Sequence, residues 1–206
     1  MSVNVTSCET HVQIGIARPP VNAFSESMLR DFIEALTRLH DDPRPIALAG
    51  DGKIFSAGFD TKDPGTPETA NMLAQQCIWS VRNHPTPVVA AVEGAAVGLG
   101  LLLATSADVL VISRTALARM PEVTIGLTAD PEALRRFLPD PWIRRLCLLG
   151  TPHTAEDLSL DRTGAILCEP GTAREVARSL LDSMSGNSPE SLGQMKSALT
   201  VPTTRQ

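Results

Sequence analysis

The stretch that decides the fold is Val88-Val-Ala-Ala-Val-Glu-Gly-Ala-Ala-Val-Gly-Leu-Gly100. Its first five residues form a short apolar run, which is typical of a buried strand. Glycines follow at positions 94, 98 and 100, and small apolar residues continue to Ala107. This order predicts a strand, a tight turn and a buried helix. Backbone N–H groups at a helix start have no partner within the helix, so they can donate to an oxygen atom of a ligand.

A second turn with a glycine, Phe55-Ser-Ala-Gly-Phe-Asp60, lies upstream in an extended segment. Around these two turns, strands and helices alternate, and beyond Gly126 only helices are predicted. This order indicates an α/β fold, with a core over residues 1–140 and a helical C-terminal region over residues 141–206. The predicted strands cover residues 11–17, 45–50, 88–92 and 108–112. Besides the buried helix within residues 94–107, the predicted helices cover residues 25–41, 69–83, 131–138, 141–149, 173–184 and 188–199.

Composition narrows the possible functions. The chain has 206 residues, 43% of them hydrophobic, and a formal net charge of -5 without a basic run, which argues against nucleic-acid and membrane partners. Its four cysteines (Cys8, Cys77, Cys147 and Cys168) are far apart and predict neither a metal site nor a disulfide framework. The polar N-terminus does not resemble a signal peptide, so we expect a cytoplasmic protein.

Three segments together resemble the successive signatures of the crotonase (enoyl-CoA hydratase/isomerase) family, in the family's order and spacing. They are Phe55-Ser-Ala-Gly-Phe-Asp60, Ala90-Ala-Val-Glu-Gly-Ala-Ala-Val-Gly98 and Met120-Pro-Glu-Val-Thr-Ile-Gly-Leu127. Arg18-Pro-Pro-Val-Asn-Ala23 resembles the family's N-terminal acyl-CoA-binding segment. The resemblance implies a crotonase-like spiral of ββα repeats, an acyl-CoA substrate, coenzyme A as part of that substrate with no prosthetic group, and a homotrimer or dimer of trimers.

The resemblance also implies roles for single residues. The N–H of Ala57 corresponds to the first oxyanion donor and the N–H of Leu99 to the second, where relatives often have glycine, so we expect the leucine side chain to narrow or redirect the acyl pocket. Asp60 has a second interpretation, as the cap of the next helix. The residues that would contact coenzyme A are Val21, Ala23, Ala57, Gly58, Phe59 and Asp60.

The acid/base residues depart from the pattern of hydratases, which use two glutamates to orient one water molecule. Glu122 matches the second glutamate, but Leu102 occupies the position of the first. One carboxylate beside an oxyanion hole can move a proton between two carbons, as in enoyl-CoA isomerases. Asp130 lies where dienoyl-CoA isomerases carry a further carboxylate, although an aspartate before Pro131 is also typical of a helix cap.

Two other functions remain open on the sequence. The single glutamate and the bulky residue in the second turn also resemble carbon–carbon bond-forming or cleaving crotonases, such as the carboxymethylproline synthases. A non-catalytic acyl-CoA-binding partner protein is the third hypothesis. Relatives commonly continue for some tens of residues beyond the helix predicted at 188–199, and those residues help to form trimers and to cover coenzyme A.

Overall fold

Two β-sheets and the helices packed on them make up the computed structural model, which describes residues 2–63 and 66–200. In chain order the elements are β1 (Val3–Ser7), β2 (Val12–Ile16), α1 (Glu26–Arg38), β3 (Ile46–Gly50), α2 (Pro67–Arg82), β4 (Val88–Val92), β5 (Ala95–Val97), α3 (Leu99–Ser106), β6 (Val109–Ser113), β7 (Leu117–Arg119), α4 (Asp140–Leu149), β8 (His153–Thr154), β9 (Ile166–Cys168), α5 (Ala173–Ser185) and α6 (Pro189–Leu199).

The larger sheet has six strands in the order β1-β2-β3-β4-β6-β9. Only β1 and β2 pair antiparallel, and the remaining neighbours are parallel. Strands β3 and β4 are buried along their whole length, as expected for parallel strands covered on both faces. The smaller sheet has the order β5-β7-β8 and pairs the end of the glycine-rich turn with β7. Its pairing brings the third signature segment next to the second.

Helix α1 forms where the sequence predicts it. The hydroxyl of Ser25 accepts the N–H of Met28 at 3.3 Å and so caps the helix start. The apolar positions of α1 recur at helical spacing and face the main core, where the rings of Phe24 and Phe32 meet edge to face. This packing fixes the segment that runs from β2 to α1 against the first glycine-containing turn.

The C-terminal helices cover the rest of the larger sheet. Helix α5 packs its buried face on the outer side of β3, β4 and β6, where alanines and valines line a second core cluster. Helix α6 is held by Lys196, which is 5% exposed, forms an ion pair with Asp108 at 2.7 Å and donates to the carbonyl of Thr86 at 3.0 Å. Among the described residues, no helix is long and apolar enough to cross a membrane.

The structure corrects the sequence prediction in the second half of the chain. The region 141–206 is not purely helical, because β8 joins the smaller sheet and β9 extends the larger one; its last residues, 201–206, lie outside the described residues. The helix expected over 131–138 is a short 3-10 turn, Glu132–Arg136. Strand β8 has two residues and strand β9 has three, which is too few to produce a recognisable alternation of polar and apolar residues in the sequence.

Candidate active site

The first turn presents the N–H of Phe59 rather than that of Ala57. Phe24 donates to the carbonyl of Gly58 at 2.7 Å, and Asp60 donates to the carbonyl of Phe24 at 2.8 Å. In a parallel bridge of this kind, the residue between the two bonded positions turns its own N–H away from the partner. Within the described part of the chain, the N–H of Phe59 has no hydrogen-bond acceptor.

The prediction that the N–H of Ala57 is the first oxyanion donor is wrong. This N–H donates to the carbonyl of Val21 at 2.9 Å and is therefore occupied within the protein. Gly58 explains the difference, because its φ of 87° breaks the regular alternation of an extended chain between Ala57 and Phe59. The two amide groups consequently face different neighbours, which residue types and spacing do not reveal.

The second turn places the N–H of Leu99 against the first turn. Leu99 is the first residue of α3, and among the described residues its N–H has no acceptor. A Cβ atom on Gly58 would lie 3.4 Å from the nitrogen of Leu99 and 2.6 Å from the carbonyl oxygen of Val97. The two turns therefore approach so closely that only glycine fits at position 58. The side chain of Leu99 is 5% exposed and packs in the main core.

Glu122 places its carboxylate against Gly98, the residue that precedes Leu99. It begins the 3-10 turn Glu122–Ile125, and a Cβ atom on Gly98 would overlap its Oε1 atom. Its Oε2 atom is buried and, within residues 2–63 and 66–200, has no hydrogen-bond partner. Burial raises the pKa of Glu122, and the amide of its own backbone and the charge of Arg119 oppose that rise. An unpaired buried carboxylate oxygen beside a glycine turn makes Glu122 the candidate acid/base residue of this site.

The other two positions that the sequence singled out do not add a carboxylate to this site. Leu102 lies in the first turn of α3, where its N–H donates to the carbonyl of Gly98 at 3.0 Å, and its side chain is 3% exposed. Asp130 is exposed and accepts the N–H of Glu132 at 3.0 Å, as a capping side chain does. Across the described ranges, no group of three or more His, Cys, Asp or Glu side chains is arranged to hold a metal ion.

Two cavities of the molecule lie away from Glu122. One, of about 390 Å³, separates the exposed side of α2 from residues 130–133 and is bordered by Trp79 and Asp130. The other, of about 350 Å³, lies on the outer face of the larger sheet beside α5 and is bordered by His11 and Arg178. Neither of these two cavities is lined by Phe59, Leu99 or Glu122.

The residues predicted to contact coenzyme A come together in one ridge, which consists of the segment 18–23 and the part of the first turn at residues 57–60. Arg18 links the two segments, because its guanidinium pairs with the carboxylate of Asp60 at 2.7 Å and donates to the carbonyl of Ala23 at 2.8 Å. The hydrogen bond from Arg18, together with the N–H of Lys62, lowers the pKa of Asp60. The alternative interpretation of Asp60 as a helix cap is wrong, since Thr66 caps α2.

Two buried polar residues that the sequence analysis did not single out hold the first turn in place. Asn22 is 2% exposed, has a φ of 53° and donates from its side chain to the carbonyls of Asp51 and Ile54, each at 2.8 Å. Ser56 donates to the carbonyl of Asn22 at 2.8 Å and accepts the N–H of Gly58 at 3.0 Å. An asparagine after Pro-Pro-Val is a sequence signal for this backbone conformation, because asparagine tolerates positive φ.

Comparisons with known proteins agree with this architecture. The family model described as enoyl-CoA hydratase/isomerase matches residues 8–206. The chain therefore belongs to the enoyl-CoA hydratase/isomerase family. An enoyl-CoA hydratase structure from Polaromonas sp. JS666 superposes with a TM-score of 0.86 at 26% identity, over 99% of this chain and 85% of that one. The predicted crotonase-like fold is thus confirmed.

Relatives with different reactions are similar to the chain. A "Probable enoyl-CoA hydratase" of Bacillus subtilis (strain 168) is 29% identical over 87% of this chain and 74% of the relative. The human mitochondrial Delta(3,5)-Delta(2,4)-dienoyl-CoA isomerase is 30% identical, and the matched region covers 66% of this chain but only 48% of that relative's length. These relatives support the family and leave the choice among its reactions to the residues of the site.

Proposed function

We propose that the protein isomerises a carbon–carbon double bond in an acyl-CoA thioester, with Glu122 as the only carboxylate that moves the proton. The observation that carries this proposal is the placement of the Glu122 carboxylate against Gly98, with one buried oxygen unpaired in the described structure. Leu102, buried in the first turn of α3, supplies an apolar side chain at the position where the family resemblance puts the second carboxylate that orients water.

The amide groups of Phe59 and Leu99 would hold the thioester oxygen. Removal of a proton next to a thioester carbonyl develops negative charge on that oxygen, and N–H groups already aimed at it stabilise the enolate without reorganising. Both N–H groups lack an acceptor among the described residues, and the close approach of Gly58 to Leu99 brings their turns together. This assignment replaces Ala57 with Phe59 and retains Leu99.

The environment of Glu122 suits a group that takes a proton from one carbon and returns it to another. Desolvation disfavours the charged carboxylate and raises its pKa, which makes it a better base when ionised. Hydration would require a second acceptor to orient the attacking water, and the apolar side chain of Leu102 cannot provide one. Isomerisation needs only the single carboxylate.

Coenzyme A would lie along the ridge formed by the segment from Arg18 to Ala23 and the turn from Ala57 to Asp60. Val21 is 38% exposed, so it offers apolar surface to the pantetheine arm. The ion pair between Arg18 and Asp60 fixes the two parts of the ridge relative to each other. Arg18 already neutralises the charge of Asp60. The carboxylate of Asp60 would therefore repel a bound phosphate less than it would without Arg18.

The deciding experiment compares turnover of crotonyl-CoA and of a 3-enoyl-CoA by the purified protein and by Glu122→Gln. We expect isomerisation of the 3-enoyl-CoA, weak hydration, and a loss of about 10²–10⁴ in kcat in the variant. Glu156→Gln is the matched control, since Glu156 is an exposed carboxylate that pairs with Arg114.

Each opposing outcome has a definite meaning. Fast hydration of crotonyl-CoA that survives Glu122→Gln would show that both the residue and the reaction are wrong. Tight binding of acyl-CoA without turnover of either substrate would favour the non-catalytic partner protein. A new carbon–carbon bond product formed from an acyl-CoA and an added electrophile, and lost in Glu122→Gln, would favour the bond-forming reaction.

A further inference from the structure

We propose that Arg119 is the positioning residue of this site, and that it fixes the Glu122 carboxylate relative to the N–H of Leu99. The inference rests on the proposed function. Arg119 belongs to none of the residues predicted to contact substrate, and it lies three positions before Glu122 at the end of β7.

The backbone of Arg119 holds the second turn. Its carbonyl accepts the N–H of Gly98 at 2.8 Å, one residue before the proposed oxyanion donor Leu99. The parallel pairing of β5 and β7 sets Arg119 opposite Val97, so the start of α3 and the segment leading to Glu122 have a fixed register. Any shift of β7 would move the carboxylate and the amide relative to each other.

The side chain of Arg119 holds the other side of the Glu122 segment. Its Nε atom donates at 2.7 Å to the carbonyl of Gly150, the residue that ends α4 in a left-handed conformation. A Cβ atom on Gly150 would lie 2.7 Å from the methyl group of Thr124, so the end of α4 presses directly on the 3-10 turn that Glu122 begins. Arg119 therefore joins β7, the end of α4 and the turn into one unit.

The charge of Arg119 acts on Glu122 through space. Within the described ranges, no carboxylate lies within ion-pair distance of its guanidinium, whose Nε is directed to the helix end. The positive charge favours the ionised carboxylate and so opposes the desolvation that raises the pKa of Glu122. Cys147 on α4 is also a titratable group near Glu122, and its own pKa is raised by burial and by the charge of Glu122.

Two substitutions separate the charge from the hydrogen bond. Arg119→Gln keeps an N–H donor but removes the charge, whereas Arg119→Lys keeps the charge but loses the planar guanidinium. We expect the Glu122 carboxylate to titrate at higher pH in Arg119→Gln than in the wild type, and near the wild-type pH in Arg119→Lys. Carbon-13 NMR of the labelled glutamate side chains, assigned with Glu122→Gln, measures this without turnover.

Kinetics give the second measurement. The acidic limb of the pH profile of kcat for a 3-enoyl-CoA should move to higher pH in Arg119→Gln. Glu122 must be ionised to accept a proton, and without the charge of Arg119 it ionises at higher pH. In Arg119→Lys the limb should stay in place while the plateau kcat falls by about 10- to 100-fold through misplacement of the carboxylate. Arg114→Gln, which removes a charge from a surface ion-pair cluster, should change neither quantity.

The outcomes distinguish this inference from the proposed function. If no variant and no wild-type protein isomerises the substrate, the proposed function fails, but the NMR titration still tests Arg119. An unchanged titration of Glu122 in Arg119→Gln, in a protein that is folded by circular dichroism, would overturn the inference. Equal losses of thermal stability in both variants, with no change in the limb or in the plateau kcat, would assign Arg119 a purely structural role and overturn it as well.

Discussion

Replacing Gly98 by alanine should abolish most of the activity while leaving the fold in place. Gly98 has a φ of 52° and a ψ of -121°, a backbone conformation that residues with a side chain rarely adopt. The added Cβ atom would overlap Oε1 of Glu122. The substitution therefore has two consequences, backbone strain and displacement of the carboxylate, and a suitable control separates them.

The two magnitudes can be worked from the geometry. Strain at a positive φ costs about 1–3 kcal/mol of the free energy of unfolding. To reach ordinary van der Waals contact with the new methyl group, Oε1 must move by about 1 Å. A misplacement of that size costs about 10²-fold in rate, or about 2.7 kcal/mol in activation free energy. Gly171→Ala is the control, because Gly171 has a φ of 88° and a Cβ atom there would meet no other atom within 4 Å.

The assay combines kcat for a 3-enoyl-CoA, urea unfolding and calorimetric binding of acyl-CoA. Gly98→Ala should lose about 10²-fold in kcat and 1–3 kcal/mol of stability, whereas Gly171→Ala should lose a similar amount of stability and keep its kcat. Retention of kcat in Gly98→Ala, together with its loss in Glu122→Gln, would refute the argument that the missing side chain of Gly98 makes room for the catalytic carboxylate.

Three further predictions test the amide donor, the missing carboxylate and the buried histidine. Leu99→Pro removes an N–H at the first position of α3, where proline is tolerated. On the same substrate, its kcat should be about 10²–10³ lower than that of Leu99→Ala, and equal rates would contradict the donor role. Leu102→Glu should raise hydration of crotonyl-CoA by about 10- to 100-fold over Leu102→Gln, and no rise would show that a second carboxylate is not what limits hydration. Burial, assisted by the charge of Lys196, lowers the pKa of His84 to about 4 from 6.5. The contribution of the neutral imidazole to stability is therefore complete above pH 6.5 and is lost as the pH falls toward 4. Urea unfolding should show about 2–3 kcal/mol more loss of stability between pH 7.5 and 4.5 in the wild type than in His84→Gln, and parallel pH curves would contradict this.

Local sequence signals predicted the elements that depend on local physics. Ser25 marks the start of α1 because its hydroxyl can accept an N–H of the first turn. The apolar run from Val88 to Val92 predicts a buried strand because a parallel strand covered on both faces needs no polar positions. By contrast, β1 went unrecognised, since Val3 alone of its residues is buried and an exposed edge strand carries little hydrophobic pattern.

The site was predicted in part, for a reason that lies in the backbone. Glu122 and Leu99 were predicted as site residues from signature segments, and the structure places both next to Gly98, while their catalytic roles stay predictions. Ala57 was chosen over Phe59 because neither residue type indicates which N–H is free. That depends on the φ of Gly58 and on the pairing of Ala57 with Val21, and both are properties of the folded chain.

The burial of Glu122 makes activity and stability oppose each other at this site. Since its pKa is raised in the folded protein, the unfolded chain ionises more readily, and stability is lost as the pH rises past the unfolded value toward the folded one. His84 has the opposite sign, because burial there lowers a pKa and costs stability in acid. The fold thus tolerates a buried carboxylate that costs stability near neutral pH. The charge of Arg119 reduces this cost in stability, and because Arg119 forms no ion pair with the carboxylate, Glu122 can still accept a proton. A direct ion pair would stabilise the protein more and would make Glu122 a weaker proton acceptor, so the separation between these two residues is itself a requirement of the proposed chemistry.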